Sequence, residues 1–239
     1  MWIKQLLFWT LLSVLYLFTI SDTNAQESYY TYKNGGGWHV QTTWTKDATG
    51  LTLDPPGGAG TPPASATVVI KPTTNPVFLD ANVSEQNLDL TVEAGASLDL
   101  KDKVFDDGVF ALRGKGHLLI ASNVFPRIGA YMPFLEKNGG TVTFNFPTTA
   151  PVNIKNFPKE VWNLEFAAKG QYAYQLRVGQ ELKVLNHLSV IDDAQLLLGG
   201  IPNEPEVGGV SFTRKKIQVG GNLTIGASAS LSVISGSLE

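Results

Sequence analysis

Apolar and polar residues alternate with a period of two in many short segments after residue 25. The clearest segment carries Leu88, Leu90 and Val92 on one side and polar residues on the other. Each such segment is bounded by Gly, Pro, Asn or Asp, and no long stretch with helical periodicity and caps is present. The pattern predicts an all-β chain of short strands and turns. Further alternating sets are Val142/Phe144/Phe146, Trp162/Leu164/Phe166, Leu196/Leu198, Ile217/Val219, Leu223/Ile225 and Leu231/Val233.

The alternating segments also resemble one another. Residues 87–100 and 222–233 both read as Asn-Leu, an alternating strand, a turn of small residues and a second strand, and residues 163–166 and 187–198 are looser copies. Repeated strand–turn units predict a solenoid, in which each coil buries its apolar side against its neighbours. The copies are unevenly spaced, which favours an irregular right-handed parallel β-helix. A β-sandwich with a similar number of strands is the alternative fold.

The first 25 residues have the order of a secretory signal peptide. Lys4 precedes an apolar run that extends from Leu6 to Ile20, and small residues flank a cleavage position after Ala25. The run is shorter than the roughly 20 residues needed to span a bilayer, and no basic stop-transfer cluster follows it. We therefore expect recognition by the export machinery, cleavage after Ala25 and a mature chain that does not span the membrane.

The rest of the chain divides into two regions. Residues 26–66 are aromatic and rich in Gly and Pro, and we interpret them as an N-terminal cap and linker, because a solenoid needs its first coil covered. Residues 67–239 carry the repeated strands. The sequence stops just after a strand, so we expect the solenoid to be truncated at its C-terminus and to belong to a longer protein.

Composition and charge narrow the class of partners. The chain has no cysteine, a net charge of −3 and 16% charged residues. It must therefore hold together by burial and backbone pairing, as cysteine-free exported proteins of bacteria do. Basic residues are scattered except for Arg214-Lys215-Lys216, so no basic stripe is present and nucleic acid is excluded as a partner.

Several motifs resemble one known group of proteins. They are Gly37-Trp38 with Trp44, Pro62-Pro63 before Val68-Val69-Ile70, Leu79-Asp80 with Asn87-Leu88, Ala94–Leu98, Gly140–Phe144, Trp162-Asn163-Leu164 and Val219–Ile225. In this order they are similar to the N-terminal β-solenoid region of large secreted or cell-surface proteins of the Bacteroidetes. The resemblance implies an adhesin-like protein exported by the type IX secretion system and associated with the outer membrane of a Gram-negative cell. The chain departs from the group at Ala66-Thr67, where an aspartate is usual, and we expect the C-terminal sorting domain of the group to lie outside these 239 residues.

The polar residues offer few candidates for a catalytic or metal-binding site. The three histidines are far apart in sequence, thiolates are absent, and no nucleophile elbow lies between a strand and a helix. Asp106 and Asp107, followed by Gly108, are the candidates for a calcium site, although Asp and Gly also favour an ordinary solvated turn. We therefore expect no catalytic residues, no enzyme activity and no cofactor other than calcium.

The aromatic residues of the cap are candidates for ligand binding. Trp38, Trp44, Tyr30 and Tyr32 could form a flat surface on which sugars stack, or the tryptophans could plug the first coil. Buried tryptophans are the favoured interpretation, because large apolar side chains rarely stay exposed.

The combined prediction is a non-catalytic exported scaffold or cell-adhesion module. It would bind surface glycans or other surface proteins through a long β-solenoid face or its loops. The alternatives are a carbohydrate-active β-helix enzyme, such as a polysaccharide lyase or a glycosidase, and a glycan-binding module.

Overall fold

The computed structural model of the protein describes residues 26–55, 61–84, 87–106, 108–129, 132–146, 152–168, 174–178, 181–198, 215–233 and 236–238. The predicted signal peptide lies outside these residues. The described residues form an all-β structure of short strands, with two 3-10 turns at Gln41–Thr43 and Pro133–Leu135 as its helical elements. The predicted fold class is confirmed at this level.

The described strands form two groups along the chain, one before residue 121 and one after residue 140. The first group is β1 (Ser28–Thr31), β2 (Gly36–Gly37), β3 (Trp44–Thr45), β4 (Thr67–Ile70), β5 (Val77–Phe78), β6 (Val83–Ser84), β7 (Leu88–Val92), β8 (Ser97–Asp99), β9 (Phe105–Asp106), β10 (Val109–Gly114) and β11 (His117–Ile120). The second group is β12 (Thr141–Phe144), β13 (Val152–Asn153), β14 (Glu160–Val161), β15 (Asn163–Ala168), β16 (Tyr174–Val178), β17 (Leu182–Val184), β18 (Leu188–Asp192), β19 (Ala194–Leu198), β20 (Lys215–Val219), β21 (Leu223–Ile225), β22 (Ser230–Val233) and β23 (Gly236–Leu238).

Parallel pairing dominates the sheets. The largest has eight strands in the order β2-β5-β8-β11-β12-β15-β18-β21, and a five-stranded sheet has the order β10-β7-β4-β1-β3. Two four-stranded sheets, β13-β16-β19-β22 and β14-β17-β20-β23, and the pair β6-β9 complete the described set. Within it, only the β1–β3 pair is antiparallel.

The chain returns to the same sheet at a nearly constant interval. Val68 pairs with Leu90, 22 residues later, and Leu90 pairs with Leu112, again 22 residues later. The interval widens to 35 residues from Leu188 to Leu223, across a segment that includes residues 199–214, outside the described part. An inserted segment of this kind explains why the repeat looks irregular in the sequence.

The core is a column of apolar side chains that follows the register of the eight-stranded sheet. Leu98, Leu118, Val142, Leu164 and Leu188 pair in succession, and each is almost completely buried. The neighbouring column contains Phe144 and Phe166, whose rings stack with centroids 5.7 Å apart. Because identical positions on consecutive strands point the same way, period-two alternation becomes a continuous core.

Polar side chains also form hydrogen bonds along the ladder, one or two residues before the paired leucines Leu164, Leu188 and Leu223. Asn186 Nδ2 donates to Asn163 Oδ1 at 2.9 Å, and the backbone N–H of Asn222 donates to His187 Nδ1 at 3.3 Å. The Asn-Leu repeat noted in the sequence is therefore partly structural: Asn163-Leu164, His187-Leu188 and Asn222-Leu223 occupy equivalent positions. Asn87-Leu88 does not, because Leu88 lies in the five-stranded sheet.

The region before residue 67 is continuous with the later strands. Tyr29 of β1 pairs in parallel with Val68 of β4, and β3 runs antiparallel to β1 at the edge of the same sheet. The boundary predicted at residue 66 thus falls between two paired strands. An antiparallel edge strand ends the parallel ladder here and covers its first backbone groups.

Candidate functional site

The two tryptophans of the N-terminal region are packed inside the protein. Neither Trp38 nor Trp44 has exposed surface, and their rings meet edge to face with centroids 4.8 Å apart. Trp44 Nε1 donates to the backbone oxygen of Trp38 at 2.7 Å, and Phe105 lies 5.3 Å from Trp38, centroid to centroid. A sugar cannot reach their faces, so the stacking alternative is wrong for these two residues, and the favoured interpretation that they are buried agrees with the structure.

The two tyrosines of that hypothesis are partly exposed but already have partners. Lys71 Nζ lies 5.8 Å from the ring centroid of Tyr30, and Lys33 Nζ lies 5.5 Å from that of Tyr32. A lysine over an aromatic face is a favourable cation–π contact. A sugar that stacked on the same face would have to displace the lysine.

The predicted calcium site is not tested by the described residues. Asp106 ends strand β9, its side chain is outside the described part of the chain, and Asp107 lies outside it altogether. Among the residues whose positions are described, no three His, Asp or Glu side chains converge as metal ligands would. Calcium binding at Asp106 and Asp107 stays a prediction.

A hydrogen bond between His39 and Asp80 joins the N-terminal region to the segment that follows strand β5. Asp80 accepts hydrogen bonds from the ring Nδ1 and the backbone N–H of His39, and its carboxylate lies over the backbone of Gly37. Burial raises the pKa of Asp80, but the hydrogen bonds and the charge of His39 outweigh it and hold that pKa below its usual range. The His39–Asp80 pair links two segments of the chain, and neither residue lines the two cavities described below.

A groove on the outer face of the eight-stranded sheet is the candidate site. It has a volume of about 370 Å³ and crosses strands β8, β11, β12, β15 and β18. The residues that line it are Gly95, Ser97, His117, Leu119, Thr143, Asn145, Glu165, Ala167, Ile191 and Asp192. They are brought together by register, because Leu119 pairs with Thr143, Thr143 with Glu165, and Glu165 with Ser189.

Hydrogen-bond acceptors dominate the polar part of the groove. Glu165 and Asp192 supply carboxylates, none of the described lining residues is a lysine or arginine, and Thr143 Oγ1 donates to Glu165 Oε1 at 3.2 Å. Asn145 also lines the groove, and its Oδ1 atom is buried with no hydrogen-bond partner among the described residues.

The apolar part of the groove consists of Leu119, Ala167 and Ile191. Leu119 lies on β11, and Ala167 and Ile191 lie on the adjacent strands β15 and β18, where they pair directly. They form a low surface without an aromatic ring. The groove can therefore combine apolar contact with several acceptors, which is the composition of a binding site for a polar molecule.

A second cavity of similar size lies elsewhere and is chemically poorer. It measures about 380 Å³ and lies between residues 125–132 and 156–158. Arg127 is its one charged lining residue, and the others are mainly Phe, Pro, Ile and Met. It offers few convergent polar groups, so the groove on the eight-stranded sheet is the stronger candidate.

The sequence interpretation missed the groove residues as a set. His117, which begins strand β11, was considered only as one of three histidines far apart in sequence, and Glu165 was not singled out. The signal that could have found them is the interval of about 22 residues between paired strands. Stacking the outward positions at that interval places Leu119, Thr143 and Glu165 side by side.

Comparisons with protein-family models, curated proteins and solved structures found no match for this chain. In the part of the chain that the structure describes, no helix has the length and apolar character needed to cross a bilayer. The class of protein is thus defined by its strands and its groove: an all-β protein with stacked parallel strands.

Proposed function

We propose that the protein is an exported, non-catalytic β-helix scaffold that binds surface molecules through its outer sheet face. The finer fold in this proposal is a right-handed parallel β-helix with an aromatic N-terminal cap. It would act as an adhesion module at the surface of a Gram-negative cell. Its export rests on the sequence features of the first 25 residues.

The observation that carries the fold is the regular return of the chain to the same parallel sheets. From β12 onward the strands visit the eight-stranded sheet and the two four-stranded sheets in a fixed order, three strands in each circuit. A β-sandwich is built from antiparallel sheets, whereas here nearly all described pairs are parallel. Parallel strands with a polar outer face are typical of a β-helix.

The observation that carries the binding role is the groove that crosses five strands of one sheet. A rigid ladder fixes the spacing of its outward side chains at about 4.8 Å from strand to strand. An elongated partner can then contact several strands at once. This arrangement suits a shallow, repetitive interaction with a surface polymer.

A glycosidase is the second candidate, and one specific observation favours it. Glu165 and Asp192 line the same groove, on adjacent strands, with Asp192 three residues beyond the partner of Glu165. Strand geometry separates their Cα atoms by about 11 Å, from which two carboxylates can reach the roughly 5–9.5 Å spacing used by glycosidases. A polysaccharide lyase that uses calcium is a further alternative, and it would need a calcium site at Asp106 and Asp107.

The test uses the full chain, expressed with its own N-terminus in a Gram-negative host. N-terminal sequencing of the exported product should place its first residue at Gln26 if the signal peptide is cut as proposed. The product is then immobilised and challenged separately with polysaccharides and with solubilised cell-surface proteins. Retention without release of new reducing ends supports the proposal. Release of reducing ends would overturn its non-catalytic part, and retention of neither class would overturn the binding role.

A further inference from the structure

We infer that the ligand of the groove is an uncharged polysaccharide that lies across the strands of the eight-stranded sheet. The inference rests on the proposed binding function and specifies its ligand. It starts from the shape of the groove, which runs from Ser97 and His117 on one side to Ile191 and Asp192 on the other. A groove that crosses strands fits a chain of repeated units better than a single compact molecule.

The charge of the groove selects among polymers. The lining residues that the structure describes include two carboxylates, Glu165 and Asp192, and no lysine or arginine. Two carboxylates without a cation among these residues repel uronic acids and sulfated sugars, and they repel nucleic acid for the same reason. They attract hydrogen-bond donors, and sugar hydroxyls are donors at every unit of a neutral polysaccharide.

The hydrogen-bonding state of the groove points the same way. Thr143 donates to Glu165 and holds that side chain in place in the groove. A carboxylate accepts several hydrogen bonds, so it is matched by a ligand rich in hydroxyl groups. Hydrogen bonds to a charged acceptor are stronger than those between neutral groups, so a few such contacts are enough to retain a polymer.

The backbone of the sheet disfavours a peptide as the occupant. Extended peptides usually bind a sheet by pairing with the unpaired backbone of an edge strand. The groove instead lies over β11, β12 and β15, each of which is paired on both sides. Only side chains face the ligand there, and Leu119, Ala167 and Ile191 offer a low apolar surface for the C–H face of a sugar ring.

The inference is tested by affinity electrophoresis in gels that contain defined polymers. The neutral probes are a β-glucan, xylan and mannan, and the anionic probes are alginate and polygalacturonate. The variants are Glu165→Gln and Asp192→Asn. Asparagine tolerates the positive φ of 53° at position 192, so both changes remove charge with little change of shape. The matched control is Glu160→Gln, a carboxylate in another sheet that pairs with exposed Lys183.

We expect the wild type to be retarded by at least one neutral polymer and by neither anionic polymer. The variant that carries both Glu165→Gln and Asp192→Asn, the double variant, should lose at least tenfold in affinity for that neutral polymer. Glu160→Gln should bind like the wild type. Thermal unfolding of each variant, followed by circular dichroism, confirms that a loss of affinity is not a loss of fold.

The other outcomes overturn the inference in distinguishable ways. Equal retardation of the double variant would move polysaccharide binding away from the groove and leave the proposed binding function intact. Retardation by the anionic polymers alone would overturn the charge argument but not the function. If no polysaccharide retards the chain, the inference fails, and retention of surface proteins then decides the function separately. Reducing ends released by the wild type but not by Glu165→Gln would support the groove as the ligand site and contradict the non-catalytic role.

Discussion

Truncation of one stacked phenylalanine should lower the free energy of unfolding of the protein strongly. Phe144 has no exposed surface, and its ring centroid lies 5.4 Å from that of Phe157 and 5.7 Å from that of Phe166. Phe144→Ala removes a buried ring and leaves a cavity, which typically costs about 3–5 kcal/mol. The lost aromatic contacts add about 0.5–1.5 kcal/mol, so we expect the upper part of that range.

The surrounding structure cannot collapse into the cavity, because strands on both sides are hydrogen-bonded in register. Phe144 pairs with Ile120 on one side and with Phe166 on the other. Closing the gap would therefore require two strands to leave their ladders. This rigidity is the reason to expect a cost near the top of the range rather than near its lower end.

The assay is urea unfolding followed by far-ultraviolet circular dichroism, at matched protein concentration. Phe110→Ala is the matched control, because the Phe110 side chain is 52% exposed and should cost no more than about 0.5 kcal/mol. A loss of under about 1 kcal/mol for Phe144→Ala, equal to that of the control, would refute the claim that this column of side chains is the core.

Two further predictions follow from single contacts. Gly114→Ala should destabilise the protein by more than about 1 kcal/mol, because Gly114 has a φ of +104° and a Cβ there would lie 1.9 Å from the backbone oxygen of Val92. Gly226→Ala is the control, because the atom nearest to a Cβ at that position would be 3.3 Å away. Thermal unfolding measures the stability of both variants. Because the pKa of Asp80 is lowered in the folded state, its contribution to stability is present above the unfolded value of about 3.8 and is lost as the pH falls through the lower folded value. Asp80→Asn should therefore flatten the decline in stability below about pH 4, measured by urea unfolding across the acid range, and an unchanged decline would contradict the role of the His39 contact.

The local pattern of the sequence predicts the buried face of individual strands well. Leu88, Leu90 and Val92 were expected on one side, and all three are almost completely buried. Period-two alternation depends only on backbone geometry, so it needs no knowledge of the partner strand. Leu223 and Ile225 follow the same alternation yet are 38% and 46% exposed, because β21 is the last strand of its sheet in the described residues.

The pairing of strands is much harder to derive from the sequence. Asn87-Leu88 and Asn222-Leu223 look like copies, but they lie in different sheets. The interval between paired strands varies with the length of the turns and insertions, which the alternation does not encode. A repeat that tolerates insertions can therefore be recognised in single segments, but the sequence does not show which segments pair with each other.

The candidate site depends on the pairing, and this is why the sequence did not reveal it. Thr143 and Glu165 are 22 residues apart and become neighbours only through register. By contrast, the candidate ligand-binding residues Trp38 and Trp44 are close in sequence, and both are buried packing residues, as the favoured interpretation expected. Proximity in the sequence was a poor guide to a surface built from separate strands.

The central claim is that the strands form one in-register parallel stack, and distances between spin labels test it most directly. The chain has no cysteine, so Asp99→Cys can be paired with Ser189→Cys or with Thr224→Cys and labelled at those positions alone. These three residues lie in one row of the eight-stranded sheet, with Ser189 four strands and Thr224 five strands from Asp99. The account predicts separations of about 19 and 24 Å, an increase of one strand spacing. Equal distances for the two pairs, or a shorter distance for Thr224, would contradict the stack.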